Sequence, residues 1–450
     1  MNLIIENVAK IGHANLSLDG LTVIIGDNNM GKSTVGRTLF TMFHSLYNPR
    51  VDVSRLRRKL FFSYAPQLSR LRRDLSPDAL IARAGELTEE DCEELLLNIE
   101  LMRREREFGA RDEPIDITYE IAGERYIHRP IPWKGDAERK EYAGLILAGA
   151  RHVASYSADK ILGSVVADGF RDAFSGQYRP LFKGAASSPH VRLEFRGGFI
   201  DYGLDGEMPL LKSEGVEIQH DAVLIASPLL MNAVSSEYGY DALEPAHRPL
   251  ITKLRRPDDS ETLFKEMIRG RMLPVSEVID SHFLGSFTPS KSRGGLKIDL
   301  PNLSDPLKAV NLSMGLKSFG IIKLMLERQI LHDEDVLILD EPENHLHPEW
   351  QLAYAEAIVL LQRVFGLTIL LTTHSPFFLE AIQLYSKKYE EKDEKCRLHV
   401  YEPTVLDADG RIGMKEISDD EEALFGKFSK AFRELDVVRA MLADPANTKK

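Results

Sequence analysis

The chain has 450 residues, 43% of them hydrophobic and 28% charged, with a formal net charge of −12. It reads as globular, and the negative balance excludes a protein that coats nucleic acid with its whole surface, while leaving room for a local basic groove. Cys92 and Cys396 make no disulfide framework, no apolar run has the length of a transmembrane helix, and MNLIIENVAKIG lacks the basic-then-apolar order of a signal peptide, so the expected location is a reducing cytoplasm.

The stretches LIIENV, NLSLDG and LTVIIG read as short strands, the last ending in a glycine turn. That turn opens Gly26-Asp27-Asn28-Asn29-Met30-Gly31-Lys32-Ser33-Thr34, which fits G-x-x-x-x-G-K-S between a strand and a helix expected over 31–46. The glycines let the backbone curl its N–H groups toward phosphate oxygens, and the helix N-terminus adds positive potential. Lys32 would then reach the β- and γ-phosphates, and the Ser33 hydroxyl would hold Mg²⁺.

From about 50 to 112 the chain is rich in Leu, Arg and Glu. SRLRRKL (54–60) and SRLRRDL (69–75), with Arg103, Arg104 and Arg106, read as solvated helical faces or as a DNA contact. A helix is expected from Thr88, an N-cap followed by acids. A hairpin is expected over 114–128 with Ala122-Gly123 near its turn, and helical structure over about 135–190. VRLEFRGGFIDYG (191–203) and DAVLIASPLL (221–230) return to strand character.

Further on, α/β alternation predicts a parallel sheet: a helix after Ser313 in NLSMGLKSFG, the strand VLILD, the helix HPEWQLAYAEAIVLLQRVF and the strand GLTILLTTH. Asp340 and Glu341 emerge at the carboxyl end of VLILD, where open α/β sheets bind ligands. Asp340 is suited to hold Mg²⁺ and Glu341 to polarise the water that attacks a γ-phosphate. His374, at the end of the next strand, could donate to that phosphate or orient the water. Glu343, His345 and His347 have a metal-like spacing, but a loop and a helix starting at Pro348 explain them equally well. A hairpin over 397–417 turning at Asp409-Gly410 and an amphipathic helix over about 420–442 complete the pattern.

Taken in order, GDNNMGKST, NLSMGLKSF, VLILDEPENHLHPEWQ and LLTTHSP resemble the Walker A, signature, Walker B with D-loop, and switch histidine of ABC-type ATPase heads of the SMC, RecF and OLD kind. The resemblance covers roughly 1–46, 220–232 and 305–385. It implies an α/β fold, a P-loop NTPase head with a mixed sheet, flanking helices and helical insertions as short arms. The head would comprise 1–50 with 190–232 and 305–400; 51–189 and 233–304 would be insertions, and 401–450 a C-terminal hairpin and helix.

In that family two heads sandwich two ATP molecules head to tail. The resemblance therefore assigns Lys32, Ser33, Asp340, Glu341 and His374 to the ATP and Mg²⁺ of their own chain. It assigns the signature residues Ser313, Gly315 and Lys317 to the partner's γ-phosphate, and Asn344 and His345 to the D-loop at the dimer seam. Three functions follow as alternatives: a dimerising ATP switch that controls a separate effector such as a nuclease in phage defence or DNA maintenance, a RecF-like DNA clamp, and a transporter's nucleotide-binding subunit. The first expects no membrane partner.

Overall fold

The computed structural model describes all residues except 48–52, 72–74, 109–116, 122–123, 129–134, 183–187, 206–207, 235–242, 256–262, 290–295, 391–397 and 419–450. The chain divides into two compact units, Met1–Arg50 with Gly163–Lys450, and Val51–Leu162.

The first unit begins with β1 (Asn2–Val8), β2 (Ile11–Ser17), β3 (Leu21–Ile25) and α1 (Lys32–Leu46). The second unit holds α2 (Val53–Tyr64), α3 (Pro77–Ala82), α4 (Glu89–Phe108), the hairpin β4 (Ile117–Ile121) and β5 (Glu124–His128), and α5 (Asp136–Ala154). Its own core joins Phe61, Leu68, Leu96, Ile146 and Val153. The start of α4 is fixed by reciprocal capping: the Asp91 carboxylate accepts the Thr88 N–H at 2.7 Å, and the Thr88 hydroxyl accepts the Asp91 N–H at 3.2 Å.

Beyond it come α6 (Ala158–Ala173), β6 (His190–Phe195), β7 (Gly198–Asp205), β8 (Met208–Glu214), β9 (Ala222–Ile225), α7 (Leu230–Val234), α8 (Arg248–Arg255) and α9 (Leu263–His282). They are followed by β10 (Ser286–Pro289), β11 (Leu296–Asp299), β12 (Leu307–Lys308), α10 (Met314–Glu327), β13 (Val336–Asp340), α11 (Pro348–Phe365), β14 (Thr368–Thr373), α12 (Pro376–Lys388), β15 (Leu398–Val405) and β16 (Ile412–Glu416).

One mixed sheet organises the first unit, in the order β8-β7-β6-β1-β2-β16-β15-β3-β14-β13-β9. From β15 through β3, β14 and β13 to β9 the neighbours are parallel. From β2 through β1, β6 and β7 to β8 they are antiparallel. The parallel half is buried on both faces, which is why Leu21, Val23, Leu337, Leu339, Ile369 and Leu371 are apolar without alternation. Each such side chain contributes about 1.5–3 kcal/mol on burial.

The boundaries differ from the expected ones in three respects. The second unit stops at Leu162, short of residue 189. Residues from Gly163 onward pack on the first unit's own elements: Phe170 stacks on Tyr202 at 5.3 Å, and Arg37 of α1 donates to the Ala173 carbonyl at 2.9 Å. Residues expected as a second insertion, among them Leu250, Ile251, Val275, Ile279 and Phe283, instead belong to the main core. Finally, β15 pairs with β3 in the middle of the sheet, so the hairpin β15–β16 is part of the sheet. The helix expected over 420–442 lies outside the described residues.

Candidate active site

Three parallel strands, β3, β14 and β13, lie side by side, and their carboxyl ends deliver the phosphate loop, the histidine and the acids to one edge. The Gly26 N–H donates to the Thr373 carbonyl at 3.3 Å, tying the loop's first residue to the histidine strand. Gly31 has φ 76° and caps α1, a left-handed turn that suits glycine. The first turn of α1 holds no acid of its own. Asp27, Asn28 and Asn29 are exposed at the loop's crest, and Lys10 donates to the Asn29 side chain at 2.6 Å.

Lys32 is buried and turned back into the loop. Its Nζ donates to the carbonyls of Gly26 at 2.6 Å and Asp27 at 2.9 Å, and lies 3.5 Å from Glu341 Oε1. The Ser33 hydroxyl donates to Asp340 Oδ1 at 3.0 Å. A hydroxyl and a carboxylate brought together in this way form an oxygen donor pair that suits a hard cation such as Mg²⁺. Met30 and Thr34 are half-buried at the start of the helix.

β13 ends at Asp340, and Glu341 has φ 46°, a left-handed conformation that costs a non-glycine residue of order 1–3 kcal/mol. Asn29 and His345, both at φ 67°, share that strain at the same edge. Burial pushes the Glu341 carboxyl up, but the Asn344 amide, Lys32 and His374 outweigh it and hold it below the usual range, as the ionised form. The Asn344 amide donates to Glu341 Oε2 at 2.9 Å, and His374 Nδ1 lies 3.6 Å from the same oxygen.

Sequence reasoning did not assign a role to two threonines beneath these acids. Thr372 donates to Asp340 Oδ1 at 2.6 Å and accepts the Glu341 N–H at 3.1 Å. Thr373 donates to the buried carboxyl of Glu343. Both threonines are fully or almost fully buried, and the TT pair preceding His374 was the available signal.

The signature segment starts α10 as expected from its sequence. Ser313 is exposed and caps the helix, its hydroxyl accepting the Leu316 N–H at 3.3 Å. Gly315 is buried: a Cβ there would lie 2.9 Å from Trp350 Cε3 and 3.4 Å from Leu346. Its missing side chain is therefore required by the chain's own packing. Lys317 lies within its own chain's packing. It is buried, its Nζ donates back to the Val310 carbonyl at 3.2 Å, and burial pushes its ammonium pKa down. His345 is exposed on the turn and Asn344 half-buried.

The phosphate loop after β3, the acids at the end of β13 and the histidine after β14 thus share one edge of one mixed sheet, and the signature segment opens the capped helix α10. Residues 199–380 match the family model described as "AAA domain, putative AbiEii toxin, Type IV TA system".

Two curated relatives match over short stretches. Elongation factor 3B of Saccharomyces cerevisiae (strain ATCC 204508 / S288c) is 36% identical over 72 residues, 15% of this chain and 6% of that protein. The aliphatic sulfonates import ATP-binding protein SsuB of Shigella flexneri serotype 5b (strain 8401) is 32% identical over 120 residues, 26% of this chain and 44% of that protein. The chain thus spans less than half the length of either relative.

Solved structures with a similar path include an SmcHead bound to the C-winged helix domain of ScpA, with TM-score 0.44, 11% identity, and 93% of this chain and 98% of that one covered. The SMC head domain from Thermotoga maritima has TM-score 0.37 and 10% identity over 92% of this chain and 97% of that one. No helix among the described residues is long and apolar enough to cross a membrane.

Proposed function

We propose that the protein hydrolyses ATP at a site completed by a second copy of the chain, and that the ATP-driven closing of two heads switches a separate effector. The observation that carries this reading is the meeting of Lys32, Ser33, Asp340, Glu341 and His374 at one sheet edge, with the Ser33–Asp340 contact at 3.0 Å and the Lys32–Glu341 pair at 3.5 Å.

In this reading Lys32 leaves the loop carbonyls and Glu341 to bind the β- and γ-phosphates. Ser33 and Asp340 would hold Mg²⁺, which neutralises phosphate charge when bound. Glu341, freed of Lys32, orients and deprotonates the attacking water, and His374 steadies the γ-phosphate. The exposed Ser313 hydroxyl, at the positive end of α10, reaches the partner's γ-phosphate with the backbone at Gly315. Lys317, committed to Val310, is not part of that trans contact. Asn344 and His345 lie at the seam of the two heads.

The effector is a partner protein, a nuclease in phage defence or DNA maintenance being the form that the OLD-like motif set suggests. Lys32→Ala should abolish ATP binding and hydrolysis, and Ser313→Arg should spare binding but block hydrolysis. Wild-type hydrolysis in either variant would overturn the site or its completion in trans.

The DNA-clamp alternative draws on the arginine clusters at 55–59 and 70–73 with Arg103, Arg104 and Arg106. Arg72, Arg73 and the side chains of Arg103, Arg104 and Arg106 lie outside the described residues, and Arg58 is already paired with Asp78 at 2.7 Å. Absence of binding to any DNA form at low salt with ATP would remove that reading. Co-purification with a membrane protein would instead favour the transporter-subunit reading.

A further inference from the structure

The hydrolysis reading uses Asp340 and Glu341 but gives the third acid of that turn, Glu343, no task. Glu343 is 3% exposed. Its Oε1 accepts the Thr373 hydroxyl and the His374 backbone N–H, the latter at 3.2 Å. His374 Nδ1 stands 3.7 Å from that same oxygen. Its Oε2 is buried and meets no donor among the described residues.

An ionised carboxylate so buried, with one oxygen bare, is disfavoured. The bonds that the group accepts from Thr373 and His374 both fall on Oε1. Burial, its largest influence, pushes the carboxyl up, and the bonds from Thr373, its own backbone N–H and the His374 N–H offset it only in part.

The contact reaches further than one hydrogen bond. The Thr373 hydroxyl that donates to Glu343 also accepts the Ser375 N–H at 3.0 Å, and the Ser375 hydroxyl caps α12 by accepting the Phe378 N–H at 3.2 Å. Glu343 therefore fastens the turn after β13 to the strand-to-helix corner that carries His374. The His374 ring is 45% exposed, and its Nδ1 lies 3.6 Å from Glu341 Oε2 and 3.7 Å from Glu343 Oε1. The backbone from which that ring projects is held by Glu343 through the His374 N–H.

We infer that Glu343 is a positioning residue: through the Thr373 hydroxyl and the His374 N–H it aims the His374 imidazole at the γ-phosphate. The inference rests on the hydrolysis reading given above.

The test measures kcat and KM for ATP in the full-length protein and in Glu343→Gln, Glu343→Ala, His374→Ala and the Glu343→Ala/His374→Ala double variant, with a melting temperature for each. Glu343→Gln should keep kcat within about threefold, because its amide oxygen accepts the same two bonds. Glu343→Ala should lose about tenfold or more in kcat with KM within about twofold, the pattern of a misplaced reacting group. The double variant should be no slower than His374→Ala by more than about twofold, since both changes remove one function.

Should Glu343→Ala fail to fold, Thr373→Val removes one of the two bonds. It should lower kcat about three- to tenfold, and not further in the His374→Ala background. Normal kcat in Glu343→Ala, or losses that multiply with His374→Ala, would reduce Glu343 to a packing residue. A wild type that hydrolyses no ATP would overturn the hydrolysis reading and this inference with it. An active wild type with an unaffected Glu343→Ala would overturn this inference alone.

Discussion

Gly315→Ala separates two explanations of the signature glycine. In a bare helix the change would stabilise by up to about 1 kcal/mol, since alanine is the better helix former. Here the new Cβ would come within 2.9 Å of Trp350 Cε3 and 3.0 Å of Cζ3, well inside the usual carbon–carbon separation. Trp350 has little freedom to yield. Its indole sits edge-on to Phe319 at 5.5 Å and to His282 at 5.8 Å, and Phe319 is in turn fully buried against Tyr354.

Overpacking of this kind costs about 1–3 kcal/mol. With the full helix term set against it, the net should be a loss of about 0–2 kcal/mol. Urea unfolding of the two proteins would read it as a lower midpoint at unchanged slope. Trp350→Leu in the Gly315→Ala background should recover part of the loss, because the group that meets the new methyl is gone. A Gly315→Ala protein more stable than wild type would refute the packing argument and return the glycine to a role toward the nucleotide alone.

Two other outcomes follow. Thr372→Val deletes the hydroxyl that donates to Asp340 and accepts from the Glu341 N–H. The Mg²⁺ concentration needed for half-maximal hydrolysis should rise about tenfold or more, and an unchanged Mg²⁺ titration would dismiss Thr372 as support for the metal site.

Asp221 is buried at the start of β9. Burial pushes its carboxyl up, but the contacts with His44 and Lys253 outweigh it and hold it well below the usual carboxylate range. A depressed folded value means stability that is full above the unfolded value of about 3.9 and fades as pH falls below it. Asp221→Asn should therefore be less stable than wild type by about 2 kcal/mol at pH 7, with the gap closing below about pH 4. A gap that stays constant across that range would contradict the assignment.

What could be read beforehand was whatever lies within one stretch of chain. The phosphate loop carries its strand, glycines, lysine and helix start inside nine residues, Gly26–Thr34. The acids and His374 announce themselves because each closes an apolar run. The contacts beneath them join distant segments: Thr372 meets Asp340 across 32 positions and Thr373 meets Glu343 across 30. No local pattern tells a strand-end threonine that packs from one that holds an acid.

The hairpin β15–β16 was legible as a hairpin, but its insertion between β3 and β2 depends on sheet edges that local alternation cannot report. The unit boundary was set late for a similar reason. The apolar face of α6 has the same periodicity whichever core receives it, and contacts such as Phe170 on Tyr202 decide the matter. The bond from the Lys317 ammonium to the Val310 carbonyl, seven positions back, has no local signature either, because lysine is seldom buried.

The central claim is that two chains must close on ATP before either hydrolyses it. The most direct measurement is the solution mass of Glu341→Gln protein by light scattering, with and without Mg-ATP, alongside the same protein carrying Ser313→Arg. The account predicts that Mg-ATP at least doubles the mass of Glu341→Gln and leaves the Ser313→Arg form, which still binds ATP, at its starting mass. Nucleotide binding with no change of mass in Glu341→Gln, or a doubled mass that survives Ser313→Arg, would contradict it.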